Sequence, residues 1–159
     1  MTSAMPRDDF TLCHRLRVRW AEVDMQHVVF NANYLMYFDV AMAEYWRAIG
    51  RGRERELAEV YMRLYTVKAT VEYHAAARYD EEIDVCARVL RFGRSSLTFA
   101  FGIWRGGDHL AAGELIYVHA DSETRKSVPL PQLFKDAVLA YERVRPEDGA
   151  AERPRAKID

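Results

Sequence analysis

Cysteine and proline are scarce in this chain. Only two of its 159 residues are cysteine and five are proline. Cys13 and Cys86 lie far apart, with no Cys-x-x-Cys step and no histidine at metal-ligand spacing. The sequence therefore predicts neither a disulfide framework nor a zinc site. We interpret both cysteines as ordinary free residues of buried strands.

An excess of one charge and a long apolar run are also missing. The 23 basic side chains are balanced by 24 acidic ones, which argues against nucleic acid as a partner because phosphate-binding domains are usually strongly basic. The longest helical apolar stretch is interrupted by Asp39, and residues 1–10 lack the apolar centre of a signal peptide. We expect a cytoplasmic protein that does not bind a membrane.

What is present is the composition of one soluble globular domain. Half of the residues are hydrophobic and 30% are charged, and 159 residues are enough for a single well-buried core. We predict a flexible N-terminus over residues 1–10, a folded domain over 11–145 and a flexible tail over 146–159. The tail consists mainly of Pro, Glu, Arg, Lys and Ala, which do not form a core.

The apolar residues follow two different periods along the domain. Residues 12–20 alternate, as in a strand with one buried face. Residues 33–49 are apolar around most of a helical circumference, so this helix must be nearly enclosed. Four more alternating segments follow between residues 66 and 119, and a last amphipathic helix covers residues 133–141. An antiparallel sheet encloses such a helix only if it curls around it or a partner covers the rest.

Three segments carry a resemblance to a known family. They are Asp24-Met25-Gln26-His27-Val28-Val29-Phe30-Asn31-Ala32-Asn33-Tyr34, Ala77-Arg78-Tyr79-Asp80-Glu81-Glu82-Ile83 and Phe92-Gly93-Arg94-Ser95-Ser96-Leu97. Together they resemble the 4-hydroxybenzoyl-CoA thioesterase family of hotdog-fold proteins, over residues 12 to about 135. The resemblance implies an α+β hotdog fold, in which a curled, five-stranded antiparallel sheet wraps around a central helix. It also implies a homo-oligomer, either a dimer or a tetramer.

The resemblance further implies thioester hydrolysis without a metal or a redox cofactor. Asp24 would act as general base or nucleophile, and the main-chain N–H of Asn31 at the helix N-terminus would polarise the carbonyl. The substrate would be an acyl-CoA or an acyl-carrier-protein thioester. The spacing alone favours a different interpretation, in which Asp24 is only a turn or capping residue; the resemblance favours the catalytic one.

Other candidate residues surround these two. His27 stands where the family commonly has glycine, and it either crowds the loop or hydrogen-bonds Asp24 and the attacking water, so we include it among the catalytic candidates. We expect Tyr34 to bind substrate. The turn residues Arg91, Arg94 and Ser95 are further candidates by resemblance, since the two arginine cations suit CoA phosphates. The alternative function is a hotdog module that binds acyl thioesters or a protein partner without hydrolysis.

Overall fold

The fold is a curled antiparallel sheet with three helices, seen in a computed structural model that describes residues 5–149. Its five main strands are β1 (Leu12–Arg17), β2 (Leu64–Tyr73), β3 (Glu82–Phe92), β4 (Ser96–Arg105) and β5 (Asp108–His119). They lie in the order β1-β3-β4-β5-β2, and all neighbours are antiparallel. The helices are α1 (Asn33–Ile49), α2 (Glu54–Tyr61) and α3 (Gln132–Tyr141). This is the hotdog arrangement that the resemblance predicts.

Helix α1 has the bounds that its apolar pattern predicts, and it lies in the concave face of the sheet. Phe38 and Tyr45 are completely buried, and the Phe38 ring stacks on Phe101 of β4 with centroids 4.7 Å apart. The Phe38 ring also lies directly against Gly113 of β5, where an added methyl group would overlap it. Glycine at this position therefore lets the helix approach the sheet closely.

One face of α1 is not enclosed by residues 5–149. Met36 is 51% exposed and Val40 is 40% exposed. The neighbouring edge strand β2 is also largely exposed, with Val67 at 59%. The prediction of a nearly enclosed helix is therefore met only in part, because the sheet covers one side of α1 and leaves an apolar strip on the other.

The predicted flexible ends are partly ordered. Residues 7–9 form a 3₁₀ turn, and Phe10 is buried against Trp104 on the convex face of the sheet, with ring centroids 5.5 Å apart. Arg7 forms an ion pair with the buried Asp84. At the other end, a two-residue strand β6 (Glu147–Asp148) runs parallel to β3 and adds a sixth strand to the sheet. Residues 150–159 lie outside the described residues.

The prediction that the two cysteines are free is wrong. Cys13 of β1 and Cys86 of β3 face each other in the strand register and form a disulfide. Their separation of 73 residues in sequence carried no sign of this, because only the pairing of β1 with β3 makes them neighbours. Within residues 5–149 no helix is long and apolar enough to cross a membrane, and no group of three His, Cys, Asp or Glu side chains is arranged to hold a metal ion.

Candidate active site

An open cleft of about 510 Å³ lies at the end of the sheet where α1 begins. Its walls come from the loop before α1, from the first turn of that helix and from the end of β2. The lining residues include Asp24, Phe30, Asn31, Tyr34, Tyr73 and His74. The structure therefore brings together three of the residues that the sequence singled out, namely Asp24, Asn31 and Tyr34.

Asp24 is held in a tight turn between two short extended segments. Val23 and Val29 pair across this turn, and the N–H of Asp24 donates to the carbonyl of Val28 at 2.9 Å. The carboxylate oxygen Oδ1 of Asp24 accepts a hydrogen bond from the N–H of Gln26 at 2.8 Å. Asp24 therefore belongs both to the turn and to the cleft. Its Oδ1 atom accepts a backbone hydrogen bond within the turn, and the residue also lines the cavity.

The start of α1 supplies free backbone donors at the cleft that Asp24 also lines. Ala32 precedes the helix without a side-chain cap. Among the hydrogen bonds formed by residues 5–149, none uses the N–H of Asn31 or Ala32. The carbonyl of Asn31 accepts a bond from the Tyr73 hydroxyl at 2.9 Å, which fixes this peptide against β2. Such uncapped N–H groups at a helix N-terminus favour a negatively charged oxygen.

Tyr34 forms a rigid apolar wall of the cleft. Its hydroxyl accepts a hydrogen bond from the N–H of Ala77 at 3.1 Å, and its ring packs edge-on against Tyr73 at 5.1 Å. Burial raises the pKa of the Tyr34 hydroxyl, so this group stays neutral near neutral pH. Tyr34 thus adds an aromatic residue to the wall of the cleft.

Glu22 supports the site, and the sequence analysis missed it. Its carboxylate is buried, accepts hydrogen bonds from the N–H of Arg19 and the hydroxyl of Tyr37 at 2.8 Å each, and pairs with the Arg19 guanidinium. Burial opposes ionisation, but these bonds hold the pKa of Glu22 below its ordinary value. Its carbonyl also accepts from the N–H of Phe30 and the amide of Asn33. Glu22 therefore ties the cleft loop to α1.

The only sequence signal for Glu22 was its spacing from Arg19. A glutamate three residues after the start of a helical turn is a common capping arrangement. A charged residue in a short non-periodic segment otherwise looks like exposed surface. The Glu22 carboxylate is buried where the Tyr37 hydroxyl of α1 donates a hydrogen bond to it.

His27 lies at the apex of the turn and not in the cleft. Its φ angle is 60°, its side chain is exposed, and it is not among the residues that line the cavity. This backbone conformation is the left-handed region that favours glycine. The geometry thus gives a physical reason why a glycine suits this position, and it gives no support to the prediction that His27 is catalytic.

We expect His27→Gly to stabilise the protein by about 1 kcal/mol, because glycine adopts the left-handed conformation without steric cost. Thioester hydrolysis should stay within about twofold of the wild-type rate. Chemical unfolding and a thiol-release assay measure the two effects. His27→Ala is the matched control, since it removes the imidazole but keeps the backbone strain. A loss of activity in both variants would instead restore His27 as a catalytic group.

Arg91, Arg94 and Ser95 are far from Asp24 within one chain. They lie in and beside the turn between β3 and β4, whereas the cleft lies near the other end of β4. From Ser96 to Ile103 the strand advances by seven residue steps, or roughly 23 Å. The structure therefore does not bring these predicted substrate ligands to the cleft of the same chain.

Comparison with known proteins places the chain among thioesterases. The model of the thioesterase superfamily matches residues 26–112, which is more than half of the chain. A thioesterase from Thermus thermophilus, crystallised with coenzyme A and zinc, is 24% identical, with 85% of this chain and 96% of that chain covered and a TM-score of 0.75. A 1,4-dihydroxy-2-naphthoyl-CoA thioesterase from Synechocystis is 20% identical, with coverages of 79% and 93% and a TM-score of 0.68.

Proposed function

Since the chain belongs to the thioesterase superfamily and is a thioester hydrolase, we propose that its substrates are acyl-CoA thioesters and that Asp24 carries the chemistry. The observation that supports this proposal is the shared cleft. The Asp24 carboxylate and the uncapped N-terminus of α1 line the same cavity. A proton acceptor beside backbone donors is the pair of groups that thioester hydrolysis requires.

In the proposed reaction, Asp24 takes a proton from a water molecule as the water oxygen attacks the thioester carbonyl carbon. The carbonyl oxygen becomes negative, and the N–H of Asn31 donates a hydrogen bond to it. The carbon–sulfur bond then breaks, and the proton on Asp24 passes to the departing sulfur. The products are a carboxylic acid and free CoA, and Asp24 returns to its carboxylate form.

A nucleophilic role for Asp24 is the alternative within the same mechanism. The carboxylate would attack the carbonyl carbon, expel the thiolate and form an anhydride, which water then hydrolyses. Single-turnover hydrolysis in ¹⁸O-labelled water tests for the anhydride. Label in the Asp24 side chain after one turnover indicates an anhydride that water opens at the carboxyl carbon of Asp24. Label confined to the acid product is expected both of general-base catalysis and of an anhydride that water opens at the acyl carbon.

The first experiment is a thiol-release assay with short, long, branched and aromatic acyl-CoA substrates. We expect release of CoA from at least one of these classes. An absence of release from every acyl-CoA, in protein shown to be folded, would contradict the proposed substrate. Acyl-carrier-protein thioesters would then be the next substrates to test.

We propose a homodimer that forms through β2. This edge strand has ten residues, and within residues 5–149 no strand lies beside its outer hydrogen-bonding groups. Exposed apolar residues accompany that edge, including Val67 on β2 and Met36 on α1. Natural proteins normally cover or charge such an edge. A second copy that pairs with β2 extends the sheet and covers the strip on α1.

Two-fold symmetry makes this strand pairing antiparallel. The end of β2 near Tyr73 adjoins the cleft, while the end near Leu64 adjoins the turn between β3 and β4. Antiparallel pairing therefore brings the turn of one subunit to the cleft end of the other. We propose that Arg94 and Ser95 of the partner subunit contact the CoA phosphates there.

We expect Arg94→Ala to raise KM for an acyl-CoA about tenfold, because one charge-assisted bond to phosphate is lost. The kcat/KM for the matching acyl-pantetheine, which lacks the nucleotide phosphates, should not change.

Ala69→Pro should cause the same rise in KM by weakening the β2 pairing, with dissociation visible in sedimentation velocity. Arg55→Ala is the control at an exposed arginine of α2. Equal losses with both substrates would contradict phosphate recognition by Arg94.

A further inference from the structure

The edge strand β2 carries two opposite charges that lack an ion-pair partner among residues 5–149. Lys68 and Glu72 are both exposed, and with Thr70 between them they line one cavity on the convex face of the sheet, beside Phe10. None of the ion pairs formed within this part of the chain includes Lys68 or Glu72. Both charges are therefore open to a strand that pairs with this edge.

The spacing of the two charges makes β2 complementary to a second copy of itself. When Thr70 lies on the two-fold axis of an antiparallel pair, the residue two places before it stands opposite the residue two places after it in the other copy. Lys68 of each copy then faces Glu72 of the other, on the same face of the sheet. Symmetry repeats the contact, so the dimer gains two equivalent ion pairs.

Other positions of the axis lose this complementarity. With the axis at Ala69, Lys68 stands opposite Thr70. With the axis at Val71, Glu72 stands opposite Thr70. An axis at Lys68 or at Glu72 sets like charges against each other, and an axis midway between two residues pairs side chains of opposite faces. The charges on β2 therefore favour Thr70.

The same register brings the turn of one subunit to the cleft of the other. Within one chain Leu64 pairs with His119, whose N–H donates to the carbonyl of Ser95 in the turn between β3 and β4. With Thr70 on the axis, Leu64 of the partner subunit comes level with residues 75–76, which line the cleft. The partner's turn is then about 10 Å from that point, which is two strand spacings.

We propose that the β2 strands of two subunits pair with Thr70 on the two-fold axis and with Lys68 of each subunit bound to Glu72 of the other. The partner is thus a second copy of this chain, in one fixed register. The proposal rests on the proposed function, which supplies the dimer and the use of the partner's turn. The register specifies which residues meet, and it fixes where the turn of one subunit completes the cleft of the other.

Single cysteine variants identify the residue on the axis. The two native cysteines are joined to each other, so an introduced cysteine is the only free thiol. A residue on the axis has its Cα about 5 Å from that of its copy, within disulfide range, whereas a residue one place away is about 8 Å from its copy. Under oxidation we expect Thr70→Cys to form a covalent dimer at least about tenfold faster than Ala69→Cys or Val71→Cys.

The cross-linked Thr70→Cys dimer should keep the wild-type kcat and KM for an acyl-CoA, because its register is unchanged. Faster cross-linking of Ala69→Cys or Val71→Cys overturns the proposed register and leaves the dimer standing. An inactive Thr70→Cys dimer overturns it as well. A wild type that sediments as a monomer contradicts the dimer and the register together. Thiol release by the wild type is measured first, so a failure of the thioesterase proposal is recognised separately.

Charge reversal tests the ion pairs. Lys68→Glu sets two pairs of like charges against each other and should weaken dimerisation at least about tenfold, as should Glu72→Lys. The double variant Lys68→Glu/Glu72→Lys restores opposite charges and should dimerise like the wild type in sedimentation equilibrium. A mixture of the two single variants should form the mixed dimer in preference to either homodimer, as counted by native mass spectrometry. Additive losses in the double variant, or a statistical mixture of dimers, overturn the proposed pairing.

Discussion

Asp24→Asn should lower kcat at least about 100-fold, which is the scale expected for the loss of a general base. The substitution keeps the size of the side chain and removes its charge. The fold should survive because the asparagine oxygen can still accept the hydrogen bond that Oδ1 receives from the N–H of Gln26. KM should change little, since the carboxylate acts in the reaction and not in binding. A thiol-release assay gives both constants.

A matched control for this prediction lies at the other end of the sheet. The Oδ1 atom of Asp121 accepts hydrogen bonds from the N–H groups of Glu123 and Thr124, in a turn of similar design after β5. Asp121→Asn therefore makes the same chemical change without touching the cleft, and activity should remain near the wild-type value. If Asp24→Asn loses no more activity than Asp121→Asn, then Asp24 only holds its turn.

Glu22→Ala should have the largest effect on stability among the variants considered, at about 2–3 kcal/mol. The substitution leaves the buried hydroxyl of Tyr37 without its acceptor and releases the Arg19 guanidinium. It also frees the loop that carries Asp24, so kcat should fall as well. Urea unfolding followed by circular dichroism measures the change in the free energy of unfolding.

The double variant Glu22→Ala/Tyr37→Phe tests the physical reason for this cost. Tyr37→Phe alone should cost about 1 kcal/mol, for one lost hydrogen bond. In the double variant no hydroxyl is left without a partner, so the total should be smaller than the sum of the two single changes. Strictly additive costs would show that Glu22 and Tyr37 do not stabilise the loop together.

The contribution of Glu22 should also depend on pH. Its pKa is lower in the folded protein than in the unfolded chain, so the folded state favours the carboxylate. The stabilisation is therefore complete above the unfolded pKa of about 4.3 and is lost as pH falls through the folded pKa. The difference in stability between wild type and Glu22→Ala should shrink below about pH 4. A difference that grows on acidification would contradict this assignment.

Helix α1 was predictable from sequence because its buried positions repeat with the period of a helix. Phe38, Ala41 and Tyr45 repeat at helical spacing and are all completely buried, so the pattern and the packing agree. Strand β2 was less predictable. Its register shifts between Thr66 and Lys68, and Val67 is exposed there although its alternation predicts burial. An edge strand has packing partners on one side only within the chain, so alternation alone does not fix which face is buried.

The candidate site, too, was predictable from sequence only in part. Asp24, Asn31 and Tyr34 belong to one continuous motif, and the turn and helix start keep such near neighbours together. Glu22 was missed because its partner Tyr37 comes from the next helix. Arg94 belongs to one of the segments that resemble the family, but it lies far from the cleft within one chain. Strands about ten residues long separate the two ends of the sheet. The disulfide was missed because only the pairing of β1 with β3 makes Cys13 and Cys86 neighbours.

The segment around Phe10 would limit how two of the proposed dimers could join. It lies on the convex side of the sheet, where Phe10 and Trp104 bury each other and Arg7 is anchored to Asp84. Two sheets that stack face to face approach to about 10 Å, a spacing filled by their own side chains. A peptide segment already lying on that surface keeps a second sheet from reaching this distance over β3 and β4. Back-to-back stacking of the proposed dimers over β3 and β4 would first require residues 5–10 to leave that surface.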